Sequence, residues 1–345
     1  MRLIDRLAAS RSLTQAEYAQ LIRGRTAEAA AHLAKQADGV RRAVYGNAVF
    51  VRGLIEIGNV CANDCYYCGI RRSNAACERY RLTADEILAC CAEGYPLGFR
   101  TFVLQGGEGV YAARDVADIV RAIKRAHPDC AVTLSLGEYE PEEYRMMRDA
   151  GADRYLLRHE TADRAHYERL HPPEMSFEGR MARLHQLREL GFAVGCGFMV
   201  GSPGQTPETL AKDLRFIEEF QPEMCGIGPF IPQKDTPFRD QPAGTAELTA
   251  YLMSIVRLAV PKVLLPSTTA LSTVSPDGRA LGIRAGGNVV MPNLSPLSER
   301  RKYALYDKKA ATGGESAQSI EKLKQDMRAI GYEIVVSRGD AARSI

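Results

Sequence analysis

The feature that most constrains the fold of this chain is a regular alternation of short apolar runs with amphipathic segments. Segments with helical periodicity separate the runs; one of them, PEEYRMMRDAG over 141–151, begins with proline and stops at glycine, as helices commonly do. Short continuous apolar runs between helices are typical of buried parallel strands. The predicted strands cover residues 54–57, 101–104, 131–134, 155–157, 192–200, 224–227, 263–265 and 288–291.

Eight strand–helix units in series predict an α/β fold, a complete (β/α)8 TIM-type barrel. A doubly wound sheet would alternate in the same way, but no glycine fingerprint with a ribose-binding acid follows the first strand. We expect an N-terminal helical extension over 1–50 and the barrel over 51–310. A C-terminal extension over 311–345, with a short helix and strand, is expected to pack on the barrel.

Composition narrows the range of partners. The net charge is +3 with no basic run, which argues against a nucleic-acid substrate. No apolar stretch approaches the length of a membrane span, and the first residues lack the hydrophobic region of a signal peptide. Nine cysteines, an odd number, do not suggest a disulfide framework. We therefore expect a cytoplasmic protein without nucleic-acid or membrane partners.

Three cysteines, Cys61, Cys65 and Cys68, follow the first predicted strand with CxxxCxxC spacing. Three thiolates can bind three irons of a [4Fe-4S] cluster, which usually has four cysteine ligands, and leave the fourth iron open. Structural zinc prefers four closed ligands, and Cys77 is the only further cysteine nearby. The spacing therefore favours one [4Fe-4S] cluster bound by three cysteines, with zinc as the alternative.

Polar or glycine-rich groups follow the other predicted strands, and in such barrels the active site lies at the carboxyl ends of the strands. The motifs LQGGEG, TLSLGE, LLRHET and LPSTTAL place there Gly106, Gly107, Glu108, Thr133, Ser135, Arg158, Glu160, Thr268 and Thr269. The period of a strand would put Arg158 and Glu160 on one face and His159 on the other. Arg158 is suited to bind a carboxylate, although a structural ion pair at the rim is the alternative.

Together these motifs resemble the HydE family of radical S-adenosylmethionine (SAM) enzymes, the maturases of [FeFe]-hydrogenase. The CxxxCxxC motif with Tyr67 before its last cysteine, and the GGE of LQGGEG, are features of the whole superfamily. GIGPFIPQKDTP over 226–237 and STTAL over 267–271 are more specific. The resemblance covers approximately residues 50–306.

The resemblance implies a chemistry and a set of roles. A [4Fe-4S] cluster on the three cysteines would bind SAM and cleave it reductively to a 5′-deoxyadenosyl radical. Thr133, Arg158, Thr268 and Thr269 would face the substrate, with Arg158 on its carboxylate. The implied SAM site consists of Tyr67, Gln105, Gly106, Gly107, Glu108, Ser135, Glu160, Arg180, Met199 and Tyr303.

The implied substrate is a small organometallic molecule, a cysteine-ligated iron carbonyl/cyanide complex used in assembly of the hydrogenase H-cluster. The implied partners are a reductant of the ferredoxin or flavodoxin type and other hydrogenase maturases. Some HydE proteins hold a second cluster through cysteines near the carboxyl end of the barrel. The corresponding stretch here, YDKKAATGGESAQSIEK over 306–322, contains no cysteine, so we expect a single cluster.

Three other functions stay open at this point. Biotin synthase shares the barrel, but a lumen cysteine of that enzyme would align with Gly195, and Cys196 is one residue away, on the opposite face of a strand. A methylornithine synthase-like enzyme would also act on a small amino-acid-like substrate. The third function belongs to a different class, that of a non-enzymatic metal-binding scaffold.

Overall fold

The structure of the protein is a computed structural model that describes residues 1–309 and 316–342. The helices are α1 Arg2–Ser10, α2 Gln15–Arg23, α3 Ala27–Tyr45, α4 Ala84–Gly94, α5 Ala113–Ala126, α6 Pro141–Asp149, α7 Arg164–Leu170, α8 Phe177–Glu189, α9 Pro207–Phe220, α10 Ala246–Ala259, α11 Thr269–Val274, α12 Gly278–Arg284, α13 Leu297–Arg300 and α14 Ile320–Ala329. The strands are β1 Ala48–Val51, β2 Gly53–Gly58, β3 Thr101–Gly106, β4 Ala131–Ser135, β5 Arg154–Leu156, β6 Ala193–Cys196, β7 Met199–Val200, β8 Met224–Cys225, β9 Gly228–Pro229, β10 Val289–Val290 and β11 Glu333–Val335.

The predicted parallel barrel is confirmed. Six strands form one parallel sheet in the order β2-β3-β4-β5-β6-β8. Isolated parallel bridges continue the circuit from Met224 to Leu264 and from Pro266 to Val289, and a last bridge joins Asn293 to Leu54 of β2. The helices between the strands surround this circuit, so the carboxyl ends of all its strands meet at one mouth.

The later strands are shorter than the sequence predicts. The run 192–200 is divided into β6 and β7 because Gly197, at a φ of 153°, turns the chain between them. A side chain at this position would collide with the carbonyl oxygen of Gly226, 2.0 Å from the ideal Cβ. The run 263–265 forms no strand of its own and contributes only the bridge at Leu264.

Both termini pack on the barrel. Thr14 and Glu17 form a capping box at the start of α2, which packs on α9, and α3 packs on α10. The segment 1–50, predicted as helical, also contains most of β1, which pairs with β10 and with the C-terminal β11. Arg154 of β5 binds Asp340 at 2.6 Å and thereby fixes the C-terminal segment at the end of the barrel opposite the mouth.

Among the described residues, none of the helices combines the length and the apolar character that crossing a membrane requires.

Candidate active site at the mouth of the barrel

All of the site residues predicted from the sequence line a single cavity of about 350 Å³ inside the barrel. The three cysteines, the predicted SAM residues and the predicted substrate residues all contribute to its wall. The cavity also includes residues that the sequence analysis did not identify, among them Arg52, Glu56, Met224 and Lys309. The topology therefore brings together side chains that come from strand ends far apart in the sequence.

The cysteines lie on the loop between β2 and α4, and this loop is tied down by its own polar contacts. Asp64, between the first two cysteines, accepts hydrogen bonds from Arg71 at 2.7 and 2.6 Å and from the backbone of Ser73 at 3.0 Å. The backbone N–H of Ala62 donates to the carbonyl of Glu108 at 2.8 Å. The loop is thus anchored both to itself and to the GGE turn after β3.

The three thiols are partly buried, and burial disfavours their charged form. Desolvation, together with the neighbouring thiols, raises the pKa of Cys65 to about 12 and that of Cys68 well above the ordinary range. Any iron bound to these groups would therefore displace their protons. Within residues 1–309 and 316–342, no three histidine, cysteine, aspartate or glutamate side chains are grouped around a single metal ion; in a [4Fe-4S] cluster each cysteine instead binds a different iron.

The GGE turn requires glycine because it approaches the cysteine loop closely. A Cβ on Gly107 would lie 2.2 Å from the carbonyl oxygen of Val60 and 2.8 Å from the Cβ of Cys61. The carboxylate of Glu108 turns toward β4 and accepts a hydrogen bond from the backbone of Glu138 at 2.8 Å. Burial raises the pKa of Glu108. This turn brings backbone close enough to the cysteines to contact any group bound there.

Arg180, from α8, reaches the cavity through an ion pair. Its Nε lies 2.7 Å from a carboxylate oxygen of Glu138, and its Nη1 donates to the backbone carbonyl of Arg158 at 3.3 Å. Glu138 was not predicted, although it is the final residue of TLSLGE. Glu138 therefore holds the guanidinium, which still lines the cavity and is accessible there to the carboxylate of a bound molecule.

Arg158 and Glu160 both line the cavity, but the strand period is not the reason. Strand β5 ends at Leu156, and Glu160 has a φ of 63°, a left-handed conformation that is uncommon outside glycine. The backbone N–H of Glu160 donates to the carbonyl of Gly197 at 3.0 Å, which holds this turn. The two side chains form an ion pair at 3.2 Å. His159 is fully buried outside the cavity, beside Phe198 and Phe216.

Several buried polar atoms in the cavity have no hydrogen-bond partner among the residues that the structure describes. They include the hydroxyls of Thr133 and Thr268, Nε of Arg158, and Nε and Nη2 of Arg52. Buried polar groups in folded proteins nearly always have a partner. These atoms therefore indicate that the cavity is built around a polar or anionic guest.

The part of the cavity wall around Tyr67 is aromatic. Tyr67 packs with Met199 and Phe230, and its hydroxyl lies 3.2 Å from Nε2 of His171. Gln105 donates to the hydroxyl of Tyr303 at 3.4 Å. This wall offers flat apolar faces next to the cysteines, as an adenine ring would require. Ser135, Thr269 and Gly106 also line the cavity.

Arg52, Glu56 and Lys309 are the charged residues that the sequence analysis missed. Arg52, Leu54 and Glu56 are two residues apart and face the cavity together. Charged residues within this otherwise apolar run were the feature of the sequence that could have identified them. Nη1 of Arg52 contacts the sulfur of Met224 at 3.0 Å. Lys309 comes from an irregular segment and pairs with Glu56, a contact that no local pattern indicates.

The residues present fit a [4Fe-4S] cluster with SAM. Three thiols without disulfide partners lie at the mouth of the cavity. The close glycine turn, the carboxylate of Glu160 and the guanidinium of Arg180 lie on the same wall and are suited to the ammonium and carboxylate of an amino acid. The unpaired hydroxyls and guanidinium atoms lie in the same cavity and would meet a second, polar molecule.

The similarities to known proteins extend well beyond the cysteine motif. The profile of the radical SAM superfamily matches residues 55–217. The [FeFe] hydrogenase maturase subunit HydE of Thermotoga maritima is 46% identical over 275 residues, 79% of this chain and 78% of that protein. The 3-methylornithine synthase of Methanosarcina barkeri is 29% identical over 309 residues, 88% of this chain and 86% of that protein. The crystal structure of methylornithine synthase (PylB) superposes with a TM-score of 0.84 at 26% identity, covering 96% of this chain and 97% of the other.

Proposed function

This chain belongs to the HydE family of the radical SAM superfamily, and we propose that its substrate is a small cysteine-ligated iron carbonyl/cyanide complex used in hydrogenase maturation. As a radical SAM enzyme it uses a [4Fe-4S] cluster, SAM and a reductant. The observation that carries the proposal is the meeting, in one cavity, of the cysteine loop with a polar lumen whose cations and hydroxyls have unpaired atoms.

In this proposal Cys61, Cys65 and Cys68 are the three protein ligands of the cluster. When bound, the cluster and SAM supply an electron and an organic radical. The protein contributes binding, orientation and exclusion of water. Cluster and reaction space are enclosed by the barrel wall, so the reacting atoms are held close together and away from other hydrogen donors.

Different charged residues would bind SAM and the substrate. Arg180 and Glu160 lie on the wall near the cysteines and would bind the carboxylate and ammonium of SAM. Arg158, whose Nε has no partner among the described residues, would bind the carboxylate of the cysteine that carries the iron. The hydroxyls of Thr133 and Thr268 would donate to its polar ligands.

A second candidate function, a methylornithine synthase-like reaction on an amino acid, is favoured by the fold similarity over almost the whole of both chains. It would use the same cluster, SAM site and Arg158. The identity to the HydE relative is higher, 46% against 29%, which is why we place the maturase reaction first. Other hydrogenase maturases would then be the partners that supply the substrate and receive the product.

The test is anaerobic incubation of reconstituted protein with dithionite, SAM and a synthetic cysteine-ligated iron carbonyl/cyanide complex. We expect about four irons per chain, as one cluster requires, and a new paramagnetic iron species that needs both SAM and the complex. A parallel incubation with free amino acids tests the second candidate. A new product from the amino acids and none from the iron complex would reverse the order, and zinc in place of iron would overturn both.

A further inference from the structure

We propose that His171 is a positioning residue that holds the ring of Tyr67 in the orientation from which it contacts SAM. This inference rests on the proposed function, because it takes the cavity beside the cysteines as the SAM site. Tyr67 lies between Cys65 and Cys68 and lines that cavity. His171 lies behind it, just after the end of α7, and is 1% exposed.

The hydrogen bonds of His171 define its tautomer. Nδ1 lies 2.9 Å from the backbone carbonyl oxygen of Tyr167, and a carbonyl can only accept, so Nδ1 carries the proton. Burial lowers the pKa of His171 to about 3, so the ring is neutral near pH 7. Nε2 is therefore an acceptor, and the Tyr67 hydroxyl at 3.2 Å is the donor. The direction of both bonds follows from the Tyr167 contact together with the neutral state of the ring.

The same segment fixes Tyr67 in two further ways. The imidazole meets the Tyr67 ring edge to face, at a centroid distance of 5.5 Å, and stacks on the Tyr167 ring at 4.0 Å. One residue earlier, the carbonyl of Leu170 accepts a hydrogen bond from the backbone N–H of Tyr66 at 3.0 Å. Because backbone and side chain of the cysteine loop are both tied to residues 170–171, the end of α7 determines where the aromatic ring stands.

This arrangement separates orientation from cluster binding. The bond from Tyr67 to His171 controls the rotation of the ring, whereas the backbone bond from Tyr66 and the Asp64–Arg71 pair hold the loop that carries the cysteines. Removing the imidazole acceptor should therefore leave the cluster in place and affect the molecule that packs on the ring. A residue that only supported the fold would affect both together.

The test compares four variants by iron content, by equilibrium dialysis of SAM and by the change in the cluster EPR spectrum on adding SAM. The variants are His171→Phe, His171→Gln, Tyr67→Phe and the double variant Tyr67→Phe/His171→Phe. We expect His171→Phe to retain its iron and to bind SAM about fivefold more weakly, as loss of one hydrogen bond predicts. His171→Gln, whose side-chain oxygen can accept the same bond, should recover most of the affinity.

Tyr67→Phe should weaken SAM binding by a similar factor, and adding His171→Phe to it should have no further effect. The matched control is His166→Phe, which removes a buried imidazole within α7 whose hydrogen-bond partner is Ser202, outside the cavity. We expect its SAM affinity to equal that of the wild type.

Three results would overturn the role of His171: unchanged SAM affinity in His171→Phe or Tyr67→Phe, additive effects in the double variant, or iron loss in both His171 variants. Wild-type protein that takes up no cluster would instead refute the proposed function, which makes the two failures distinguishable.

Discussion

Lys309 holds the segment over residues 303–309, which we call the strap, against the mouth of the barrel. Its ammonium pairs with the fully buried carboxylate of Glu56 and donates to the carbonyl of Tyr303 at 3.0 Å. The other carboxylate oxygen of Glu56 accepts a hydrogen bond from Asn293 at 3.0 Å. The strap also contacts the cysteine loop, because Gly69 donates to the carbonyl of Leu305 at 2.9 Å.

Lys309→Met should destabilise the protein strongly, because it leaves the Glu56 carboxylate buried without a cation. Breaking a buried ion pair in this way costs about 3–5 kcal/mol. With an unfolding entropy of about 2.1 cal/mol/K per residue, 345 residues give about 0.7 kcal/mol/K, so the melting temperature should fall by roughly 4–7 °C. If opening the strap costs less free energy than keeping the unpaired carboxylate buried, the strap will open locally. The melting temperature will then fall less, and hydrogen exchange over 303–309 will be faster.

Differential scanning fluorimetry and hydrogen–deuterium exchange of the cluster-free protein measure both effects. The matched control is the double variant Glu56→Gln/Lys309→Met, which removes both charges and keeps an acceptor for Asn293. We expect the double variant to recover most of the lost stability. If it is as unstable as the single variant, or if Lys309→Met has no effect by either measurement, the reasoning about a buried charge is wrong.

Four further predictions follow from the site. Replacing Cys61, Cys65 or Cys68, the proposed cluster ligands, by alanine should abolish iron binding and SAM cleavage together, whereas Cys77→Ala should retain about four irons per chain by iron assay. Gly107→Ala should lower cluster retention in the same assay, because its Cβ would displace the backbone of Val60. Arg158→Ala should keep the cluster and SAM cleavage without substrate but weaken binding of the iron complex in titrations. Burial lowers the pKa of His171 to about 3, so between pH 6.5 and 3 only the unfolded chain binds a proton at this imidazole. The free energy of unfolding of the cluster-free wild type, measured by urea denaturation, should therefore fall by ~2 kcal/mol from pH 7.5 to 5. His171→Gln should not show this loss.

The barrel could be predicted because its signals are local. Apolar runs and helix ends depend on neighbouring residues, so the order of strands and helices follows from the sequence. The ends of the later strands could not be predicted, since the break at Gly197 depends on the close approach of Gly226, which is distant in the sequence. Strand β1 was missed because its partners, β10 and β11, come from the far end of the chain.

The site was predictable where topology alone places a residue. Thr133 and Ser135 reach the cavity because they lie two residues apart on the inward face of β4, toward its carboxyl end. Glu160 reaches the cavity for another reason, a left-handed turn held by Gly197. The two-residue strand period from which its position was predicted does not apply there. Lys309 was not found because only the folded barrel brings it to Glu56.

The pair of Arg158 and Glu160 has a consequence for how the two small molecules would bind. At 3.2 Å each ion is the other's partner, and Glu160 is 11% exposed in its side chain. If a substrate carboxylate binds Arg158, it replaces Glu160 as the partner of the guanidinium and leaves that carboxylate free to accept a hydrogen bond from the ammonium of SAM. Each molecule thus releases the group that the other needs, and a coupling of this kind must be reciprocal. In Arg158→Ala, SAM should therefore bind equally well with and without the iron complex, whereas in the wild type each should strengthen the binding of the other.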